Sequence, residues 1–497
     1  MKLKWVLLLA GFAQQAGAQT QALPRWRQQV NEWVEKGQWT QALDLLLLRS
    51  ARSPSAEERR LRAKLLDRLN LSHLERIEWL QLIEEHPSTT SDRNRLAELS
   101  LGLGAVEAAG RLLERLPDSS DSVLQKTLLL QYNLQIGRLP RENLRLDLAE
   151  LNSLPRGWIR HRAQMAQATA YVLSGKVNEA LRILNVDVGR GTEFDDSFRH
   201  LQRARLLYGQ KRFDEALDSV SMVPRSSPSW FGATQVAAWA AYRLGDDNLA
   251  LGQLMNFHNP YLAAKYSPES WLLQASSLYR LCYLNSASTS LAELESRYGE
   301  MAVVLSKFSR ELGNRFTGVT TVLGYARGNR RPPAGYGARE WALLMDGLLQ
   351  NEVLRSTEQF MLSSQQGERQ VRGLEQRLGN NARGRFVRAQ LQRYGSEIQA
   401  ARREAVRLGF RALSRRLIEL RNDLADVLEA SLAVDLEINT RIRDRLLRSD
   451  LPAARDLDVD AELADGFDFW PFEGEYWRDE IGSYYFALNS ACGETER

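Results

Sequence analysis

Gly175-Lys176-Val177-Asn178-Glu179-Ala180-Leu181-Arg182-Ile183-Leu184 sets the register of the chain: a glycine stands five residues ahead of an alanine, and a large apolar residue follows four later. The spacing recurs as Gly37, Ala42 and Leu46, as Gly104, Ala109 and Leu113, and as Gly245, Ala250 and Leu254. Looser copies centred on Glu75, Glu142, Ala216 and Ala287 fill the intervals. The series therefore runs 42, 75, 109, 142, 180, 216, 250 and 287, in steps of 33, 34, 33, 38, 36, 34 and 37 residues. A period near 34 residues is that of a helix-turn-helix array.

The residue types explain themselves physically. Glycine ends a first helix where the backbone must turn left-handed, and alanine lets the second helix approach its neighbour with no bulk between them. Pro54, Pro87 and Pro228 each fall twelve residues after a series position, where a second helix has to stop. These residues resemble the tetratricopeptide repeat (TPR) over roughly residues 22–300. The first unit matches through Trp26, Trp33, Gly37, Ala42, Leu46 and Pro54, and a later one through Ala168, Tyr171, Gly175 and Ala180. The resemblance implies an all-α, TPR-like helical solenoid that presents an extended surface to another chain and carries no chemistry of its own. An irregular helical array of another repeat class is the competing reading. Glu75 and Glu142 stand in place of the small residue and Lys211 in place of the glycine, which predicts splayed or out-of-register units there.

Composition agrees with a folded, soluble chain. Of 497 residues, 44% are hydrophobic and 26% charged, which excludes disorder by composition and an integral membrane protein. Two Cys and five His leave little material for a zinc or disulfide framework, and a net charge of +4 gives no support to nucleic acid as a partner. Lys2 and Lys4 precede an apolar run from Trp5 to Ala13, and Ala16-Gly17-Ala18 offers a peptidase its small residues. The expectation is a signal peptide over 1–18, cleaved after Ala18, and a periplasmic mature chain. An uncleaved N-terminal anchor is the alternative.

Four segments follow the leader. The array occupies 19–310. A Gly/Pro-rich linker is expected over 311–337, containing Gly318, Gly324, Gly328, Pro332, Pro333 and Gly335. A coiled-coil helical module is expected over 338–449, because Val387, Leu391, Tyr394, Ile398, Ala401, Ala405, Leu408 and Ala412 alternate steps of four and three. Leu413, Leu417, Leu420, Leu424, Val427, Ser431, Val434 and Ile438 resume the pattern after a skip near Gly409. Such a helix would be roughly 90 Å long at 1.5 Å per residue. Its partner is the helix near Trp341, a second protein, or the chain's own repeats. Arg369 to Arg421 holds 14 Arg against 4 Glu, whereas the final segment, 450–497, holds 13 acidic residues against 3 Arg. The Arg-rich stretch reads as a solvated helix face or as a site for lipid headgroups, anionic glycan or an acidic protein.

Nine aromatic residues lie between Phe467 and Phe486. That density has to dock somewhere, and Trp470, Phe472, Tyr476, Trp477 and Tyr484 are the expected partner-binding anchors. The run Trp470-Pro471-Phe472-Glu473-Gly474-Glu475-Tyr476-Trp477 with Asp479, Glu480 and Gly482 resembles the carboxyl-terminal end of periplasmic TPR proteins from gliding-motility-type gene clusters, which also encode Tol/Exb-like proton-channel motors. What this resemblance implies is a non-enzymatic envelope scaffold working with an inner-membrane proton-channel complex. A glycan-binding or polysaccharide-export scaffold is the alternative, with the rings stacking on sugar.

Chemistry-bearing patterns are weak. Asp456, Asp458, Asp460 and Glu462 alternate like a calcium loop, yet Ala461 and Phe467 stand where its glycine and final glutamate belong. Glu473, Glu475, Asp479 and Glu480 imitate a glycosidase cleft, but such clefts draw their acids from separate elements. The five His show no ligand spacing. No cofactor, metal or catalytic set is expected. Cys282 and Cys492 either bridge, pinning the tail to the last repeat, or remain a buried thiol and an unrelated terminal one.

Overall fold

Among the described residues, five helix reversals share one hydrogen-bond closure around a left-handed residue. The first residue past each turn donates its N–H five residues back: Gln38 to Trp33 O (2.8 Å), Lys176 to Tyr171 O (2.9 Å), Arg212 to Leu207 O (2.9 Å), Asp246 to Ala241 O (3.0 Å) and Tyr283 to Leu278 O (3.0 Å). This closure requires a left-handed residue between the helices. Gly37 (φ 71°), Gly175 (72°) and Gly245 (87°) supply it without a side chain, while Lys211 (60°) and Cys282 (64°) supply it with one. The turn residue in the last two cases carries the steric penalty of an L-residue there, about 1–2 kcal/mol. Four residues beyond each closing residue, Ala42, Ala180, Ala216, Ala250 and Ala287 begin the next hydrogen-bonded turn. All five alanines, and Ala109, have 0% of their surface exposed.

The computed structural model describes residues 25–49, 54–69, 71–103, 106–113, 123–135, 138–154, 158–186, 196–262, 264–312, 317–376, 382–448 and 480–492. The leader through Ala18, Gly104, the calcium-like acidic run and the aromatics Trp470, Phe472, Tyr476 and Trp477 lie outside these residues. Second helices begin at Trp39, Ser72, Val106, Val177, Phe213, Asp247 and Leu284, each three residues ahead of its series position. The architecture is an all-α, TPR-like array of helical hairpins.

Two expected distortions are absent and one is present. Glu75 does not splay its unit: it is 2% exposed and accepts a hydrogen bond from Trp79 Nε1 at 3.0 Å, so a satisfied carboxylate replaces the alanine. Lys211 keeps the shared closure, as above. The unit at Glu142 does depart, with a 3₁₀ turn over Glu142–Leu144 and a short helix over Leu148–Ser153. Its second helix would have to start at Leu139, directly before Pro140, whose ring disfavours the helical conformation at the preceding residue.

The chain divides into two compact units. The first comprises residues 1–92 and 365–398. Here Val30, Ala42, Leu46, Leu74 and Ile77 pack with Leu391, Tyr394 and Ile398 of the helix Ala382–Leu447. Glu78, 0% exposed, holds Arg59 at 3.1 Å and Arg62 at 3.3 Å and accepts from the Tyr394 hydroxyl. Burial and the Glu78 carboxylate push that hydroxyl well above its ordinary pKa. A buried carboxylate so surrounded is stable only while all its donors stay in place.

The second unit comprises residues 93–364 and 399–497. Its largest core joins the hairpin Pro268–Arg280 and Leu284–Tyr298 to Met301–Leu312, Thr317–Ala326 and Ala338–Leu349. Leu413, Leu417, Leu420 and Leu424 of the long helix are each 5% exposed or less in this core, so that stretch of the heptad face is covered by the chain's own helices. The 66-residue helix runs unbroken through Gly409, where a Cβ would sit 3.1 Å from Thr357 and 3.2 Å from Val319. The skip in the pattern thus marks a close approach. The segment 311–337 is only in part a linker: Thr317–Ala326 is a helix with Val319, Val322 and Leu323 buried. Gly318 there admits the Leu312 side chain instead of breaking the helix. No helix among the described residues is long and apolar enough to cross a membrane.

Ala180→Leu or Ala250→Leu overpacks a fully closed contact and lowers stability by about 1–3 kcal/mol in chemical denaturation; stability equal to wild type contradicts the register. Lys211→Gly relieves the left-handed penalty against a smaller loss of chain entropy and raises stability by about 0.5–1 kcal/mol. A destabilised Lys211→Gly variant contradicts the turn assignment.

Candidate functional site

Helix Asp247–His258 places Asn248, Gly252 and Asn256 four residues apart, so the three share one face. Residues 480–492 lie along that face. The Asn248 carboxamide reads the Leu488 main chain twice, Nδ2 donating to Leu488 O at 3.1 Å and Oδ1 accepting from Leu488 N at 3.0 Å. Asn256 Oδ1 accepts from Gly482 N, and its Nδ2 is held by Gly252 O at 3.3 Å. Gly252 matters for what it lacks: a methyl group there would overlap the Tyr484 carbonyl.

The same stretch continues onto the next reversal. Ala491 N donates to Leu281 O at 2.9 Å, and the Tyr283 hydroxyl donates to Asn489 O at 3.2 Å. Arg225 donates to the Ser483 hydroxyl, while Gly482 turns with φ 92° where a Cβ would meet Arg225 and Trp230 at 2.9 Å. Leu488 (6% exposed) and Ala491 (4%) join the large core. The segment is therefore held as an extended peptide, mainly through its own backbone. Tyr484 contributes its carbonyl to this contact, and its side chain is half-buried.

Cys282 and Cys492 are joined by a disulfide across 210 residues, with their Cα atoms 5.0 Å apart. Cys282 stands five residues ahead of Ala287, the position that glycine fills at Ala42, Ala180 and Ala250. One residue thus makes the turn and anchors the tail. Arg441 Nη1 lies 3.3 Å from Cys282 Sγ and 3.3 Å from Tyr279 O, with its guanidinium over the Tyr279 ring at 4.3 Å. Beside the groove, burial raises the Asp247 carboxyl from 3.8 to about 6, against the pull of Arg280, whose Nε is 3.4 Å away.

Other candidate groups come together differently from their sequence spacing. His161 and His200 both face Asp196, at 3.9 and 3.4 Å. Arg199 forks onto the same carboxylate at 2.7 and 2.6 Å, placing a cation where a metal would have to sit. No group of three metal-ligating side chains occurs among the described residues. In the Arg-rich stretch, Arg403, Arg407, Arg411 and Arg415 form an exposed stripe at four-residue spacing. Sequence reasoning missed Asn248, Gly252 and Asn256; their signal was polar and glycine residues repeated every four positions on an otherwise apolar helix. Cys282 in the glycine position was also legible.

No protein-family profile matches the chain, and no curated protein matches it. Among solved structures it is similar to Naa15/Naa10 bound to HypK-THB, at 13% identity over 84% of this chain and 66% of that chain, with a TM-score of 0.28. It is also similar to the P58(IPK) TPR domain, at 13% identity over 76% of this chain and 98% of that one, TM-score 0.21. Yeast Tom70 matches at 12% identity over 85% and 97%, TM-score 0.20. Each TM-score is below 0.5.

The raised Asp247 carboxyl has a definite pH sign. Between 3.8 and about 6 the folded chain holds a proton that the unfolded chain has released, so this group's stabilisation is complete below 3.8 and is lost as pH rises towards 6. Asp247→Asn removes the dependence. Melting temperatures of wild type relative to the variant should fall between pH 4 and pH 6 and then level off; a constant difference contradicts the burial argument.

Proposed function

We propose that the chain is a non-enzymatic protein-interaction scaffold whose helical hairpins hold extended segments of polypeptide, and that it works in the periplasm as part of a cell-envelope complex. The observation that carries the first part is the seating of residues 480–492. Asn248, Asn256 and Tyr283 all address main-chain atoms, and main-chain hydrogen bonds are a general source of affinity for an extended peptide.

The location rests on the leader pattern from Lys2 to Ala18. The partner proposed is an inner-membrane proton-channel complex of the Tol/Exb kind, on the strength of the terminal motif from Trp470 to Gly482. In this reading the groove seats the far end of the tail, and Trp470, Phe472, Tyr476 and Trp477, which precede the seated residues, supply the apolar anchors for the partner.

Trp470→Ala combined with Trp477→Ala should abolish recovery of the proton-channel subunits after in-cell cross-linking and affinity capture, while the helical circular-dichroism signal stays unchanged, because aromatic anchors dominate such interfaces. Undiminished recovery contradicts the role given to the tail. A lost helical signal makes the tail a structural cap.

A further inference from the structure

The groove and its occupant are separable chemically. Most of the contacts to residues 480–492 are made to a peptide backbone, which any extended chain possesses. Two positions add selectivity. Gly482 adopts φ 92° in a space where a side chain would strike Arg225 and Trp230, and Leu488, six residues later, is 6% exposed in the core. The Cys282–Cys492 bond is a second covalent tie between the occupant and the groove, in addition to the main chain that leads on from Leu447.

That bond is built to open in one direction. Cys282 is 0% exposed, whereas Cys492 is half-buried and presents the sulfur that an incoming thiolate can reach. Attack on Cys492 Sγ makes Cys282 the leaving thiolate, and the Arg441 guanidinium 3.3 Å from Cys282 Sγ stabilises the negative charge that develops there.

We propose that the surface made by Asn248, Gly252, Asn256 and Tyr283 is a receptor for an extended protein segment bearing a glycine six residues ahead of a leucine. The Cys282–Cys492 bridge keeps the chain's own copy in place until a dithiol reduces it. The steps balance. The dithiol's first thiolate bonds to Cys492 Sγ and expels Cys282 as a thiolate; its second thiol closes the reagent's own disulfide and expels Cys492. Two electrons pass from the dithiol to the bridge, and its two protons end on the cysteines. Opening the bridge converts a pinned occupant into one held only through the intervening main chain, at an effective concentration that an incoming segment can outcompete. The inference deepens the scaffold reading and rests on it.

The test uses the full chain and a fluorescein-labelled synthetic peptide with the sequence of residues 480–492, serine replacing its cysteine. Anisotropy should show saturable binding to wild type reduced with dithiothreitol and to Cys492→Ser, and binding at least about tenfold weaker to oxidised wild type, a difference of about 1.4 kcal/mol. A peptide with the Gly482→Ala change should bind about tenfold more weakly, and Gly252→Ala in the Cys492→Ser chain should abolish binding with its circular dichroism unchanged. Equal binding to the oxidised and reduced chains overturns the latch, and no binding to either reduced form overturns the receptor. If the peptide fails while the cross-linked envelope partner is still recovered, the scaffold reading stands and only this inference falls.

Discussion

A left-handed residue at five helix reversals among the described residues is the constraint from which the array is built. A short connection lets two helices bury their apolar stripes against each other, and the closure seen at Gln38, Lys176, Arg212, Asp246 and Tyr283 makes that turn. The buried alanine four residues on exploits it, bringing the returning helix into close contact at Ala42 and Ala250. At Cys282 the same constraint acquires a second use: the side chain that a glycine would lack reaches Cys492 and fixes the far end of the chain on the repeats.

Legibility in the sequence follows from whether a physical demand leaves a residue-type mark. The Gly–Ala spacing does, because few residues tolerate the turn and the close contact. Lys211 meets the same demand with a residue that hides it, so its unit read as irregular although the closure is identical. Pro140 was visible but its consequence required knowing where the second helix should begin. The glycines at 318 and 409 resembled breakers, whereas they serve close helix contacts to Leu312 and to Thr357. The heptads around Leu413 to Leu424 indicated a buried stripe correctly without saying what buries it, since period alone does not distinguish a partner protein from the chain's own hairpins.

The terminal groove was the least legible feature. Its recognition is made by carboxamides addressing backbone atoms, and a backbone carries no sequence signature on either side. Nothing in residue type alone sets Asn248, Gly252 and Asn256 apart. Only their common face, seen together with the seated segment, shows that the three act as one surface. The acidic, aromatic tail and the Arg stripe from Arg403 to Arg415 were, in contrast, plain from composition, because charge and aromatic density need no geometry to be noticed.

Amide hydrogen exchange on the oxidised full-length chain tests the central claim most directly, resolved at single residues around Leu488 and Ala491. Their N–H groups are committed to Asn248 Oδ1 and Leu281 O, so they should exchange on the timescale of the helix Asp247–His258. Exchange at the unprotected rate throughout residues 480–492 with the disulfide intact would contradict the account.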